Sequence, residues 1–375
     1  MELGVWGYGA AFLASLALSL GLTPVALRVA NSRGILDHPA PNKSHESPVP
    51  YLGGVAIVAA FSLTVGIAGV VYRPPSGLDQ LGVILGFAVA LSVMGLFDDV
   101  RHLNPLPKVA LEVAAGVALW IVGVQIAIFP SDVLNAVFTV LWVVGITNAF
   151  NLLDNMDGLS AGTATIASGV FFILAAINGQ FLVAALSIAL MGCALGFLRH
   201  NIHPARIYMG DTGSLFLGFV LAAIGIKLKF PGPNQITFMV PILVLGIPIL
   251  DTTLVVVNRL LHRRNPLSGG RDHISHRLVF IGLPVGVAVG LIYGSSVVLG
   301  WLGVVMSRID RTSGFLLMAL VVTVAAFVTV MLSLIPVYET SRRKRMMITE
   351  VHGHEEPEDL PPEDEVSAPV QHATP

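Results

Sequence analysis

Long apolar runs constrain the fold of this chain more than any other feature. Eleven such runs follow one another between residues 5 and 337, most of them about as long as a bilayer crossing requires. They cover residues 5–29, 52–71, 80–96, 107–128, 133–149, 160–177, 181–198, 213–229, 236–258, 278–304 and 314–337. Only 12% of the residues are charged, against about 25% in soluble domains. The sequence therefore predicts an all-α, polytopic membrane helix bundle with about eleven transmembrane helices.

The basic residues are divided unequally between the two sides of the predicted membrane. One set of loops and span ends holds 16 of the 21 lysines and arginines, and the other set holds five. Because cytoplasmic loops of membrane proteins are enriched in Lys and Arg, the first set is expected in the cytoplasm. The odd number of spans then places the C-terminus there as well.

The chain divides into two parts by composition. Residues 1–338 form the expected membrane domain. Residues 339–375 begin with the basic segment SRRKR and continue with HEEPEDLPPEDE, without apolar periodicity. We expect this second part to be a disordered, charged cytoplasmic tail.

The polar motifs gather in the loops that are expected to face the cytoplasm. Five carboxylates stand out, on three separate loops or span ends. They are Asp98, Asp99, Asp154, Asp157 and Asp211. Hard oxygen ligands of this kind suit Mg²⁺ or Mn²⁺.

Basic side chains accompany these acids in the segment RDHISHRL. Arg271, His273, His276 and Arg277 could hold phosphate oxygens. Acidic metal ligands, basic phosphate ligands and access to lipid together fit phosphoryl transfer to an acceptor in the membrane. A zinc site at His273 and His276 is not expected, because no cysteine and no third ligand lies nearby.

Each motif also has a purely structural explanation. Asp98 and Asp99 could mark the membrane interface, and Asp211 could cap the next helix. The segment NLLDNMDGL could be a polar turn, but Asn148, Asn151, Asp154 and Asp157 recur every three residues. That spacing would place successive side chains within about 60° on one helical face, which favours a site. The role of Asp251, inside an apolar run, is left open.

Taken together, several segments resemble one family, the integral-membrane polyprenyl-phosphate N-acetylhexosamine-1-phosphate transferases, in particular the bacterial undecaprenyl-phosphate N-acetylglucosaminyl-1-phosphate branch. The resemblance covers roughly residues 38–278. It rests on LGGVAI, GLFDDV with Pro105 and Lys108 after it, NAFNLLDNMDGLSAG, GFLRHNIHPARIYMGDTGSLFLG, IPILDT and DHISHRL, in that order.

The resemblance implies a reaction and its components. A UDP-N-acetylhexosamine, most simply UDP-N-acetylglucosamine, would donate the sugar-1-phosphate to undecaprenyl or another polyprenyl phosphate, with release of UMP. The expected cofactor is Mg²⁺, with Mn²⁺ as an alternative. The expected location is the bacterial inner membrane. The lipid bilayer is the other expected partner, nucleic acid is not expected, and a homodimer is left open.

The resemblance also implies roles for individual residues. Asp98 would deprotonate or orient the lipid phosphate, with Asp99 beside it, so both are expected to be catalytic. The metal positions and the substrate-binding positions form two further sets. The metal set is Asn151, Asp154 and Asp211, and the substrate-binding set is Lys43, His45, Asn148, Asp157, Gly158, Tyr208, Arg271, His273, His276 and Arg277. Within the second set, Asp157 and Gly158 would contact uracil and Tyr208 would stack on it.

Three motifs depart from the family pattern, at four positions. Asn155 stands where the family often has the first glycine of DGxDG, and Ser275 replaces the middle imidazole of the histidine motif. Near LGG, Glu46 and Tyr51 stand where basic residues are common. These departures leave the sugar uncertain, and direct displacement and an aspartyl-phosphate intermediate both stay open. The competing hypotheses are an ion-coupled transporter and an envelope scaffold protein.

Overall fold

The computed structural model describes residues 4–38, 47–72, 77–101, 103–230, 238–266 and 269–337. Most of these residues lie in helices, and the protein is a multi-pass membrane protein, as predicted. The helices are α1 Val5–Arg33, α2 Gly53–Tyr72, α3 Leu78–Arg101, α4 Pro105–Ile121, α5 Asp132–Leu153, α6 Leu159–Ile177, α7 Phe181–Asn201, α8 Gly210–Lys227, α9 Met239–Val244, α10 Gly246–Leu261, α11 Ile274–Phe280, α12 Val285–Met306 and α13 Arg311–Ser333. The expected tail, residues 339–375, lies outside the described residues.

Nine helices in the described part of the chain are long and apolar enough to cross a membrane. The two remaining predicted spans have a different form. Helix α4 has 17 residues, a length of about 26 Å, which is short of a typical 30 Å hydrocarbon core. The predicted span 236–258 is two helices, α9 and α10, which meet at Leu245.

Helix α8 is the centre of the bundle. All its residues from 212 to 225 are buried, whereas in α13 only Gly314 is buried and large apolar side chains point outward. Glycines allow the neighbouring helices to approach α8 closely. A Cβ on Gly95 of α3 would lie 2.5 Å from the backbone of Asp211, and one on Gly54 of α2 would lie 2.3 Å from the backbone of Gly213.

One face of the bundle carries the polar motifs. Helices α3, α5 and α7 end there, and α4, α6 and α8 begin there, as the contacts described below show. The same face holds a short antiparallel ribbon of β1 (Leu36–Asp37) and β2 (Val49–Pro50), which is followed by a bridge from Tyr51 to Tyr208. The sequence did not predict this ribbon, because its strands are only two residues long.

Candidate active site

A cavity of about 240 Å³ opens on the polar face of the bundle. The loop between α5 and α6 and the start of α8 form one wall. The ribbon segment and the loop before α11 complete the cavity. The lining residues are Asp37, Tyr51, Asn151, Asp154, Asn155, Met156, Asp157, Asn201, Tyr208, Gly210, Asp211, Gly270 and His276. Six of the residues that the sequence predicted as site residues therefore share one cavity.

Lys108 joins two of the predicted acidic residues. Its ammonium group donates to Asp98 at 2.5 Å and to Asp211 at 2.9 Å. Lys108 lies one turn into α4, Asp98 lies near the end of α3, and Asp211 lies in the first turn of α8. The lysine thus places a positive charge between carboxylates from two other helices.

Asp99 contacts a different group from its neighbour Asp98. Its carboxylate accepts the backbone N–H of Asp211 at 2.8 Å, and the N–H and hydroxyl of Thr212 at 3.1 and 2.7 Å. Gly210 adopts a φ of 65°, and a Cβ there would lie 2.5 Å from Asp99. Asp99 therefore caps the N-terminus of α8 from another helix, a favourable place for a negative charge.

Asn151 connects α5 to α8. Its amide nitrogen donates to Asp211 Oδ1 at 2.7 Å and to Ser214 Oγ at 3.0 Å. Asn148, one turn earlier, does not line the cavity. It donates to the buried Glu112 of α4 at 2.5 Å.

The expectation that four polar residues share one helical face was wrong. Helix α5 ends at Leu153, Asp154 is its C-cap, and Asp157 lies in the turn before α6. The physical reason is that the backbone leaves helical geometry at Asp154, where ψ is 43°, and the turn that follows leads to Gly158, the N-cap of α6, which adopts a φ of 77°. Asp154 and Asp157 nevertheless reach the same cavity, because the turn folds back over it.

Asp154 lies near three other carboxylates. Burial, and then the charges of Asp211, Asp99 and Asp157, raise the pKa of Asp154 well above its usual value. A carboxylate in such a place either holds a proton or is balanced by a cation. This cluster could therefore attract a divalent cation.

Asp157 organises the loop between α7 and α8. It accepts the backbone N–H of Ala205 at 3.0 Å and lies 2.8 Å from His203 Nδ1. Gly158 contributes only backbone groups, with its N–H on Asn201 and its carbonyl accepting from Tyr293.

Two tyrosines face one another at the cavity. Tyr208 packs edge-on against Tyr51, with ring centroids 6.1 Å apart. Burial raises the pKa of the Tyr208 phenol above its ordinary value, so the hydroxyl stays protonated and can donate to Asp157. Together these rings provide an aromatic corner next to the acidic wall, with their planes at 65° to each other.

The side chains of His273, His276 and Arg277 do not all face the cavity. His273 is buried against Asp251, 2.7 Å from its carboxylate, and this contact gives Asp251 a role that the sequence left open. Arg277 is also buried, and it donates to the carbonyl of Leu332 at the end of α13. Of these three residues only His276 lines the cavity. Neighbouring Arg271 is exposed, and Lys43 and His45 lie outside the described residues.

His276 is uncharged at neutral pH in this environment. Burial, followed by electrostatic interaction with His273 and Arg271, lowers the pKa of His276 to about 4, although Asp251 and Asp272 act in the opposite direction. A bound diphosphate would supply the negative charge that favours protonation. His276 is therefore suited to respond to an anionic ligand.

The oxygen ligands around Asp211 bear on the expected Mg²⁺ site. Among the described residues, no three His, Cys, Asp or Glu side chains converge to hold an ion by themselves. Asn151 and Asp211 are nevertheless adjacent, with Asp154 on the same cavity. Mg²⁺ is usually bound by one or two carboxylates together with substrate phosphates, so this donor set fits it.

Several residues of the site received no role from the sequence. Lys108 was noted only as part of a motif, although a lysine ten residues after paired aspartates is a usable signal. Asp37 and Asn155 line the cavity, and Arg259 holds Asp272 in a buried bidentate pair at 2.7 and 2.8 Å. These contacts join distant segments, so no local pattern reveals them.

Comparison with known proteins agrees with the resemblance seen in the sequence. Residues 81–229 match the family described as glycosyl transferase family 4. A probable undecaprenyl-phosphate N-acetylglucosaminyl 1-phosphate transferase of Bacillus subtilis is 35% identical over 294 residues, which is 76% of this chain and 80% of the relative.

Two further relatives show the breadth of the match. A decaprenyl-phosphate N-acetylglucosaminephosphotransferase of Mycolicibacterium smegmatis is 32% identical and covers 81% of this chain and 82% of its own. A phospho-N-acetylmuramoyl-pentapeptide-transferase of Bacillus mycoides is 33% identical over 59% of this chain and 74% of its own. With this coverage and the acidic cavity of the bundle, the chain belongs to glycosyl transferase family 4, the family of polyprenyl-phosphate N-acetylhexosamine-1-phosphate transferases.

Proposed function

We propose that this protein transfers N-acetylglucosamine-1-phosphate from UDP-N-acetylglucosamine to undecaprenyl phosphate, or to another polyprenyl phosphate, and releases UMP. The observation that carries the proposal is the junction of Asp98, Lys108, Asp211 and Asn151 beside a cavity at the end of a membrane bundle. This is a place where a lipid phosphate and a water-soluble diphosphate can meet.

The names of the relatives favour this donor. The Bacillus subtilis and Mycolicibacterium smegmatis relatives both carry N-acetylglucosamine and a polyprenyl phosphate in their names. They also cover more of this chain than the muramoyl-pentapeptide relative does. The transporter hypothesis finds no support in the family match or in these relatives.

The chemistry is a displacement at phosphorus. An oxygen of the lipid phosphate attacks the β-phosphorus of the donor, the new P–O bond forms, and the bond to UMP breaks. Lys108 is placed to hold phosphate oxygens and to reduce the repulsion between two anionic substrates. Asp98 orients this lysine, and it need not be a strong base, because a phosphate monoester is largely ionised at neutral pH. An aspartyl-phosphate intermediate stays the alternative mechanism.

The metal proposal rests on the donor set. Asn151 and Asp211, with Asp154 nearby, would hold Mg²⁺ or Mn²⁺ together with diphosphate oxygens of the donor. When bound, the ion offsets negative charge on those oxygens. Asp99 would contribute indirectly, because it fixes the backbone from which Asp211 projects.

The location proposal rests on charge. We place the cavity face at the cytoplasmic side of the bacterial inner membrane, because 16 of 21 basic residues belong to that side. UDP-sugars are cytoplasmic, so this orientation also provides the donor. Residues 339–375 would be a charged tail on the same side, and a homodimer stays an open proposal.

UMP release tests the proposed function. The purified protein would be incubated with undecaprenyl phosphate, Mg²⁺ and a panel of UDP-sugars, beside an Asp211→Ala variant. We expect UMP release with UDP-N-acetylglucosamine. We expect no release by the variant, none without undecaprenyl phosphate and none in the presence of EDTA. If none of the UDP-sugars gives UMP, the proposal is overturned.

A further inference from the structure

The segment from Asp272 to Arg277 is fixed at almost every side chain. Asp272 is held by Arg259 at 2.7 Å, and His273 contacts Asp251 at 2.7 Å. Arg277 reaches the carbonyl of Leu332 at 2.7 Å. These contacts bind the segment to α10 and α13 and lead away from the cavity.

A separate contact ties the segment to the acidic wall. The hydroxyl of Ser275 donates to Asn155 Oδ1 at 2.6 Å, across 120 residues of sequence. Asn155 is itself held in place, since its amide nitrogen donates to the carbonyl of Leu152 at 2.7 Å. Ser275 is almost fully buried, so its hydroxyl needs such a partner.

The Asn155–Ser275 hydrogen bond joins the loop between α5 and α6 to the start of α11, and these two segments carry the cavity's acidic groups and its imidazole. Asn155 follows Asp154, and Ser275 precedes His276, and Asn155, Asp154 and His276 all line the cavity. The Ser275 hydroxyl also lies 3.5 Å from His276 Nδ1. Loss of this hydrogen bond would release the imidazole from the acidic wall, whereas the buried ion pair beside it would stay intact.

We propose that Asn155 and Ser275 form a positioning pair that sets His276 against the sugar-diphosphate end of the donor. The proposal rests on the proposed function, because it assumes that the cavity takes a nucleotide diphosphate-sugar. It assigns donor contact to His276, and it makes His273 and Arg277 parts of the support.

The pair needs the side chains of both residues, because a residue without a polar side chain at position 155 would offer no amide oxygen to the Ser275 hydroxyl. This hydrogen bond fixes the backbone beside His276, which lines the cavity. The pair therefore contributes to donor affinity.

A double-mutant cycle tests the pair through donor kinetics. In Ser275→Val we expect the KM for UDP-N-acetylglucosamine to rise about tenfold, with kcat nearly unchanged. Asn155→Ala should give a similar rise, and the double variant should be no worse than either single variant. Ser275→Thr, which keeps the hydroxyl, should restore the wild-type KM. Ser295→Val is the matched control, because Ser295 is exposed and bonds only to its own helix.

Two results would overturn the inference. One is a double variant whose KM for the donor rises by the product of the two single increases. The other is a Ser275→Thr variant as impaired as Ser275→Val. If the wild-type protein releases no UMP with any donor, the proposed function fails. The positioning pair can then be tested without activity, by measuring the rate of histidine carbethoxylation with mass spectrometry. Faster labelling of His276 in Ser275→Val, with unchanged labelling of exposed His203, would still support the pair, and unchanged labelling of both would refute it.

Discussion

The carboxylate of Asp99 accepts both the backbone N–H and the hydroxyl of Thr212, at 3.1 and 2.7 Å, and so caps α8 from a different helix. The adjacent Asp98 turns instead to Lys108. Two neighbouring aspartates therefore serve different purposes, one for the fold of the site and one for its charge. This separation can be measured.

Replacement of Asp99 by alanine should destabilise the protein as well as inactivate it. Loss of a helix cap costs about 1–2 kcal/mol, and Asp211 would lose its backbone anchor. Thermal unfolding in detergent would measure the first effect and UMP release the second. Asp310→Ala removes the cap of α13, far from the cavity, and should leave the KM for the donor unchanged. An Asp99→Ala protein with full activity would contradict this explanation.

Replacement of Lys108 by methionine should lower turnover by roughly 10²-fold, because a preorganised charge at the reacting phosphates is lost. Lys229→Met is a suitable control, since Lys229 is exposed and follows the end of α8 that lies opposite the cavity. Steady-state assays with both substrates varied would measure the change. Equal activity of the two variants would show that Lys108 has no part in the reaction.

Substitution of Gly95 by alanine should disturb the site without any change of charge. The new Cβ would lie 2.5 Å from the backbone of Asp211, so α3 and α8 would have to separate. We expect loss of most activity and a lower unfolding temperature. Gly86→Ala on the same helix meets no atom within 4 Å and should behave like the wild type. Similar behaviour of the two variants would refute the close approach of these helices.

The contribution of His276 to the stability of the ligand-free protein should fall as the pH is lowered from about 6.5 toward 4. The pKa of His276 is about 4 in the folded protein, against an ordinary value of 6.5, so between these limits the unfolded chain binds a proton that the folded protein excludes. Buried Asp154, whose pKa is raised, acts in the opposite direction, but it does so in the wild type and in His276→Gln alike. The unfolding temperature of the wild type should therefore fall relative to that of His276→Gln as the pH is lowered across this range. An identical pH profile for the variant would argue against the lowered pKa.

Binding of the donor should raise the pKa of His276. A diphosphate near His276 favours the charged imidazole, so binding at pH 6 should take up a proton. Calorimetry in two buffers of different ionisation enthalpy would detect the uptake, which His276→Gln should abolish. Uptake that survives in this variant would mean that another group titrates.

Arg277 should behave as a residue of the fold. Its guanidinium donates to the carbonyls of Leu332 and Ile335 at 2.7 and 3.2 Å, near the negative end of α13. Arg277→Met should lower the free energy of unfolding by about 2 kcal/mol, because hydrogen bonds to a charged group are lost. The KM of the folded fraction should change less than in His276→Gln. A large rise in KM without loss of stability would restore the substrate-binding role that the motif suggested.

The sequence was informative wherever a property depends on composition or on neighbours along the chain. Apolar run length predicted the all-α membrane bundle, and motif order predicted the family. Hydropathy alone does not give the number of crossing helices, because it cannot distinguish the 17-residue α4, or the two helices that meet at Leu245, from full spans.

Contacts between distant segments account for what the sequence could not supply. The spacing of Asn148, Asn151, Asp154 and Asp157 fits a helix, but in the structure α5 ends at Leu153 and a turn leads from Asp154 to the start of α6. The roles of His273 and Arg277 depend on partners in α10 and α13, which no local pattern identifies. The proposed roles of the site residues stay predictions that the variants above would test.

The most direct test of the proposed transfer follows one phosphorus atom. UDP-N-acetylglucosamine labelled at the β-phosphorus would be incubated with the purified protein, undecaprenyl phosphate and Mg²⁺, and the lipid and aqueous products would be separated. We predict label in the lipid fraction, bound to N-acetylglucosamine in a diphosphate, with unlabelled UMP formed in equal amount. Label that stays in the aqueous fraction while the donor is consumed would contradict the transfer of a sugar-1-phosphate.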